Sequence, residues 1–263
     1  HVDAFTHEPF RGNPAGVCLL EQPRDPAWMQ HVAAEVNLPE TAFLRPLGEN
    51  EWELRWFSPA TEVELCGHAT LASAHVLWEK GHAAPDKPIR FRTLYRGVLT
   101  CRREDDSGWI VMDFPADPPK PASPPPALIE ALGGVEFAHA ARSRDDWIIE
   151  LPQEQAILAV QPDFEALKRI EGMRGCAVTA RAARDGFDIV SRFFPPSLGV
   201  NEDPVTGSVH AALGPYWQPR LNRSTIRAYQ ASPRSGALRI SLRGDRVDLA
   251  GQAITVLQGT LTA

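Results

Sequence analysis

The apolar and polar positions of this chain follow one pattern twice. In RWFSPATEVELCGHATLASAHVLW, residues 55 to 78, an apolar run gives way to a Pro-containing polar turn, a Gly and an Ala-rich stretch. SRFFPPSLGVNEDPVTGSVHAALGPYW, residues 191 to 217, repeats that order. WELRWF and FDIVSRFF alternate or run apolar as strands do, whereas ATLASAHVLWEKG sets Leu71, Ala74, His75 and Trp78 at helical spacing and stops at Gly81. The predicted helix over 69–80 has few charges on any face, so it is expected to be buried on most sides, as a central helix wrapped by a curved sheet is. A further helix is predicted over 26–36, ending before Asn37 and Pro39, with Glu40 at the turn into the strand TAFL. PDFEALKRI, residues 162 to 170, is its expected counterpart, which brings Cys176 near the place equivalent to Glu40.

Three anchors of the repeat are nearly equidistant: Phe57 to Phe194 is 137 residues, Gly67 to Gly207 is 140, and Gly97 to Gly236 is 139. Upstream, Thr41-Ala42-Phe43-Leu44 is matched to Ala177-Val178-Thr179-Ala180. Collinear echoes of this kind point to a duplicated domain. PADPPKPASPPP, with seven prolines in residues 115 to 126, divides the chain near its middle. The expected organisation is an N-terminal half over 1–114, a Pro-rich linker over 115–126 and a C-terminal half over 127–263, whose terminal strand crosses back to the first half. The expected fold class is α+β, with the two halves facing each other across a cleft.

Composition narrows the functional classes. The chain has 263 residues, is 43% hydrophobic and carries a net charge of −6, with its 27 Lys and Arg spread along its length. No nucleic-acid partner is expected from that distribution. No run reaches the roughly 18 to 20 apolar residues needed to span a bilayer, and HVDAFTHEPF has neither a basic nor an apolar leader region, so no membrane partner and a cytoplasmic location are expected. Cys18, Cys66, Cys101 and Cys176 are scattered without CxxC pairs and are read as reduced thiols.

Candidate chemistry gathers where the pattern repeats. Gly67-His68 opens one helix and Thr206-Gly207-Ser208 opens its echo, and unpaired N–H groups at such termini attract a carboxylate or another oxyanion. Asp203 before the Pro204 turn is placed to orient a substrate amine or relay a proton, and Glu202 and Ser208 flank that turn. Glu40 with His68, the nearby group titrating near neutrality, suits abstraction of a proton from carbon and its return elsewhere. No cofactor is called for when the substrate itself delocalises the charge. Cys66 reads as packing. Zinc is disfavoured, because His68 and His75 are seven apart and no HExxH or CxxC occurs. A Cys-His hydrolase is disfavoured too, because helix geometry is expected to direct His68 away from Cys66.

Six motifs occur in order: Val2-Asp3-Ala4-Phe5-Thr6 with Gly12-Asn13-Pro14-Ala15-Gly16-Val17, then Pro39-Glu40-Thr41, Cys66-Gly67-His68-Ala69-Thr70, Glu202-Asp203-Pro204-Val205-Thr206-Gly207-Ser208, and Gly244-Asp245-Arg246-Val247. On these the whole chain resembles the PhzF-type phenazine-biosynthesis isomerase-like proteins, which share the diaminopimelate epimerase fold. The resemblance implies two pseudo-symmetric domains, each a curved, mostly antiparallel sheet or half-open barrel around a central helix, and commonly a homodimer. It implies that Glu40 is the acid/base moving a proton between substrate carbons. His68, Asp203 and Ser208, with backbone amides around Gly67 and Gly207, would hold the substrate and assist; Ala69, Thr206 and Asn13 are further candidate contacts. Related epimerases use two cysteines, one from each half, and the second half here offers none at its helix opening, so a two-thiol mechanism is disfavoured.

The expected function is therefore a cofactor-independent isomerase acting on a small carboxylate-bearing substrate. Two alternatives stand beside it: a catalytically idle small-ligand-binding or interaction protein on the same fold, and an epimerase or racemase using one thiol. Trp56, Tyr95 and Phe194 are candidates either to line the pocket or to support it.

Overall fold

The computed structural model describes residues 1–104 and 107–262. The chain forms two compact units, one of residues 1–113 with 250–263 and the other of residues 114–249.

The first unit contains β1 (Val2–Ala4), β2 (Asn13–Leu19), α1 (Pro26–Val36), β3 (Glu40–Gly48), β4 (Glu51–Phe57), β5 (Glu62–Val63), α2 (Gly67–Glu79), β6 (Ile89–Thr93), β7 (Gly97–Glu104) and the start of β8 (Trp109–Pro115). A C-terminal strand, Ala253–Thr255, pairs antiparallel with β1, which pairs antiparallel with β2. From there β2 and β3 are parallel, β3 and β4 antiparallel, β4 and β6 parallel, and β6, β7 and β8 antiparallel in turn. Parallel neighbours cannot be joined by a hairpin and need a crossover. The two helices supply it: α1 links β2 to β3, and α2 lies between β4 and β6.

Helix α1 spans 26–36 as expected and ends at Asn37, which adopts a left-handed conformation; the Asp25 side chain, which sequence reading did not single out, accepts from Ala27 N–H at its start. Helix α2 is buried from His68 to Ala74 and again at Val76 and Leu77, packed against β1, β2, β3 and the C-terminal strand. Its buried hydroxyls are satisfied internally, Thr70 donating to the Cys66 carbonyl and Ser73 to the Ala69 carbonyl, both at 2.6 Å.

The second unit holds β9 (Lys120–Pro121), α3 (Pro126–Ala131), β10 (His139–Arg142), β11 (Asp146–Glu150), α4 (Glu154–Ala159), α5 (Phe164–Lys168), β12 (Gly175–Arg181), β13 (Ile189–Phe194), α6 (Gly207–Leu221), β14 (Thr225–Gln230), β15 (Gly236–Arg243) and most of β16 (Arg246–Gly251). Its pairing repeats the first unit's: β9, β10 and β11 antiparallel, β11 and β12 parallel, β12 and β13 antiparallel, β13 and β14 parallel, β14 and β15 antiparallel. Helices α4 and α5 make the first crossover and α6 the second. The duplication read from the repeated pattern is thus present in the hydrogen bonding of the sheets, and the mixed, mostly antiparallel α+β class is the observed one.

One expected equivalence is out of register by a residue. Thr41 pairs with Phe57, and Cys176, not Ala177, pairs with Phe194. The counterpart of Glu40 is therefore Gly175, each being the first residue of its strand. Side chains in a strand alternate faces, so the slip exchanges inward for outward positions, and apolar residues on both faces of TAFL and CAVT hid it.

Helix α6 contains Pro215, which has no N–H for the carbonyl four residues earlier. That carbonyl, of Ala211, accepts instead from the N–H of Asp117 at 3.1 Å. The Pro-rich stretch is tied into the second unit there and again where β9 pairs with β10.

Gly12 has φ +64°, and a Cβ there would sit 2.1 Å from the Ala4 carbonyl oxygen. Gly12→Ala is expected to cost roughly 2–4 kcal/mol, from the left-handed backbone and the overlap together. Gly48→Ala, with nothing within 4 Å of its Cβ, serves as the tolerated control. Urea denaturation of both checks this, and equal midpoints would contradict it.

Candidate active site

In the first unit β3 begins with Glu40 and α2 begins with Gly67-His68-Ala69, and the two starts meet. Glu40 Oε2 lies 3.2 Å from His68 Nε2, with the imidazole side chain 9% and the carboxylate side chain 23% exposed. Cys66 Sγ is 3.5 Å from His68 Nδ1. Burial lowers the His68 pKa from 6.5 to about 4, against a raising hydrogen bond to the Pro14 backbone. The ring is therefore neutral near pH 7 and carries a single N–H. The Pro14 backbone and the Glu40 carboxyl both stand beside that ring. Asn13, fully buried at the start of β2, precedes Pro14 in the same strand.

Neither central helix is capped by the side chain of its own N-cap residue. Cys66 is the N-cap of α2 and Thr206 that of α6, and neither side chain bonds to a first-turn amide. By contrast, Asp25 caps α1 and Asp163 caps α5. The amides of Gly67, His68 and Ala69, and of Gly207 and Ser208, lie in those uncapped first turns, where backbone donors and the helix dipole favour an anion.

In the second unit the segment before α6 is held by its own hydrogen bonds. The Asp203 carboxylate accepts from the Thr206 hydroxyl. Gln230 receives the Thr206 N–H on Oε1 at 2.9 Å and donates to the Asp203 carbonyl at 2.7 Å, while the Ser232 hydroxyl donates to the Pro204 carbonyl at 2.8 Å. Thr206 thus serves to shape the turn, and its amide is already engaged. Ser208 Oγ accepts from Arg174 Nη1 at 3.0 Å. His210, one turn on, is a core residue: Nδ1 donates to the Thr206 carbonyl at 2.7 Å, Nε2 lies 3.3 Å from the Ser191 hydroxyl, and burial lowers its pKa to about 4.

Several sequence expectations change here. Helix geometry was expected to keep His68 away from Cys66, yet they touch. The reason is that Cys66 is the N-cap, with extended backbone at φ −141°, so helical spacing does not apply to it. Glu40, Cys66 and His68 consequently place one ligand-type atom each within 4.8 Å of one another, a group that can hold a metal ion and that a search for paired histidines does not find. Glu202 is engaged in a two-pronged ion pair with Arg192, at 2.8 and 2.9 Å. Cys176 is fully buried, and burial raises its thiol pKa. Trp56 and Phe194 are core residues, and Tyr95 is exposed at the β6–β7 turn. Sequence reasoning missed Arg174 altogether; its one signal was its place just before the strand start equivalent to Glu40.

A cavity of about 1060 Å³ in the first unit is lined by Val17, Leu20, Trp28, Val32, Thr41 and Val76 among others, but not by Glu40, Cys66 or His68. It lies on the face of β3 to which Thr41 points, opposite to that of Glu40.

The family model described as phenazine biosynthesis-like protein matches residues 2–259. An uncharacterized isomerase of Halalkalibacterium halodurans is 51% identical over 261 residues, covering 99% of this chain and 96% of that protein. The crystal structure of a phenazine biosynthesis protein of the PhzF family from Enterococcus faecalis shares 42% identity with a TM-score of 0.90, covering 96% of this chain and 94% of that one. A putative phenazine biosynthesis PhzC/PhzF protein from Clostridium difficile shares 38% with a TM-score of 0.91, covering 100% and 98%. At 12% identity a probable proline racemase from Agrobacterium radiobacter still gives a TM-score of 0.62 over 99% of this chain and 92% of that one, a likeness of fold alone.

The two buried imidazoles make stability depend on pH. Their pKa values are lowered from 6.5 to about 4 on folding, so the unfolded chain binds more protons between these limits. Stability from this source is fully present above about pH 6.5 and is lost as pH falls toward 4. Urea denaturation between about pH 6.5 and 5 is expected to show a slope approaching two protons from these rings, to which His75, also lowered by burial, adds in the same direction. A flat profile there would contradict the burial of both rings in neutral form.

Proposed function

Because the chain belongs to the family of phenazine biosynthesis-like proteins, we propose that it is a cofactor-independent isomerase that moves a proton between carbons of a small carboxylate-bearing substrate. The observation that carries this reading is the contact of Glu40 with a neutral, buried His68 at the start of a helix that its N-cap side chain leaves uncapped. The isomerase name of its Halalkalibacterium relative supports the reaction class.

In this reading ionised Glu40 takes a proton from the carbon next to the substrate carboxylate, and the C–H electron pair passes into the conjugated system and the carboxylate oxygens. First-turn amides at Gly67, His68 and Ala69, and at Gly207 and Ser208, stabilise that charge. Each helix start would offer its amides to a substrate oxyanion, with Asp203 and Asn13 as further polar contacts. The proton then returns from Glu40 to a distant carbon, so that the bonds are rearranged with no net loss or gain of atoms or electrons. His68 supplies one N–H donor and a nearly water-free wall beside the carboxyl, which favours a carboxylate able to act as base and then as acid. A homodimer and a cytoplasmic location belong to the same proposal.

The contact of Cys66 with His68 favours a second reading, a one-thiol epimerase, in which the sulfur takes the place of Glu40. Incubation of vinylacetate and related β,γ-unsaturated acids in D₂O, followed by NMR, separates the two. Glu40→Gln is expected to lower deuterium entry into carbon by about 10²–10⁴-fold, and Cys66→Ala to leave it within a few-fold. The converse result would establish the thiol, and an unchanged rate in both variants would remove both bases. Binding without exchange in the native protein, across the panel, would favour an idle ligand-binding protein.

A further inference from the structure

Arg174 touches Ser208, yet no role has been assigned to it. It stands immediately before β12, one residue ahead of Gly175. Its Nη1 donates to Ser208 Oγ at 3.0 Å, its Nε donates to Asp146 Oδ1 at 3.0 Å, and its Nη2 pairs with Asp146 Oδ2. The guanidinium lies 5.6 Å over the Phe193 ring. The backbone is fixed as well: the Arg174 N–H donates to the Asp145 carbonyl at 2.7 Å, and its carbonyl accepts from the Ser197 hydroxyl at 2.7 Å. A Cβ at position 175 would sit 2.6 Å from Phe193 Cζ, so glycine there leaves the space that the ring under Arg174 occupies.

Asp146 is 3% exposed, and burying an ion pair is a poor route to stability. It is a good route to holding a planar cation in one orientation. Burial works to raise the Asp146 pKa, while the same pairing raises that of Arg174. We take the pair as ionised, because the two-pronged geometry requires a carboxylate acceptor on both oxygens.

A hydroxyl has one hydrogen. With Ser208 Oγ already accepting from a guanidinium, its own hydrogen is left to donate, polarised by the cation behind it. Asp146 cancels the net charge of the pair, so the effect is directional: a strengthened donor beside the first-turn amides of α6. We propose that Arg174 is a positioning residue that fixes Ser208 as a donor, making this helix start selective for an ionised carboxylate over a neutral group of the same shape. Acting through the serine, it sets substrate class without taking part in proton transfer. This rests on the isomerase reading only in making Ser208 a substrate contact.

Titration of ¹⁵N-labelled protein with vinylacetate and with vinylacetamide, followed at the Gly207 and Ser208 amides, tests it. The native protein is expected to bind the acid roughly tenfold more tightly than the amide, the difference between charge-assisted and neutral hydrogen bonds. Arg174→Lys and Ser208→Ala should each lose that preference, and the double variant should lose no more than either alone, because one residue acts through the other. A merely structural Arg174 would give additive losses or an intact preference, and either result overturns the proposal, as does the absence of any shift at these amides. Thermal denaturation confirms that the lysine variant is folded, and Ser208→Ala tests the same donor with the ion pair intact. A preference for the acid without deuterium exchange would sink the isomerase reading alone, whereas exchange that depends on Glu40 with an unaltered preference in Arg174→Lys would sink this one alone.

Discussion

Two parallel strand pairs in each unit impose the constraint on which the rest of the structure depends. A hairpin cannot join parallel neighbours, so the chain must leave the sheet and return, and a helix is the compact way to do so. In each unit one crossover, α2 or α6, is apolar on nearly every side and is buried along its first three turns. A helix in that position has its first turn close to the strand ends. Its first-turn amides are then presented in a place that solvent reaches poorly, and in both units the N-cap side chain does not bond to them. Of the peripheral helices, α1 and α5 have such caps, whereas α3 and α4 do not.

The two units use one geometric device for different chemistry. In the first, the residue that opens β3 reaches the second residue of α2, joining Glu40 to His68. In the second, the residue just before β12 reaches the second residue of α6, joining Arg174 to Ser208. Gly175 occupies the place of Glu40, so the second unit has no carboxylate there and is furnished with a cation instead. Duplication followed by such divergence divides labour: a titratable pair in one unit, a fixed donor in the other. Burial reinforces the division, since it keeps His68 neutral and keeps the Asp146–Arg174 pair rigid.

Much of this was legible along the chain because the signals were local. The αL cap at Asn37, the end of α2 and the repeated Gly at each central helix start follow from residue types at fixed spacing. The Glu40 and His68 candidates followed from their places at element ends together with motif resemblance, while the atoms through which they meet, Glu40 Oε2 and His68 Nε2, were decided by the fold. Cys66 is buried, as its packing reading expects, but it touches His68 because helical spacing does not apply to a residue that is not yet helical. The Thr41–Cys176 register was missed because apolar residues occupy both faces of the two strands, which removes the alternation that reveals a slip.

The sequence by itself determined the α+β class, the duplication, the two buried helices and where each begins, because periodicity, glycine and proline act over a few residues. Only the tertiary structure decided which polar groups meet. Asp117 finds the carbonyl that Pro215 leaves open, Arg192 engages Glu202, and Arg174 joins Asp146 to Ser208. All but the Arg192–Glu202 pair, ten residues apart, are formed between segments far apart in the chain. A buried polar group must be paired with whatever the fold brings near it, and no local pattern records which neighbour that is.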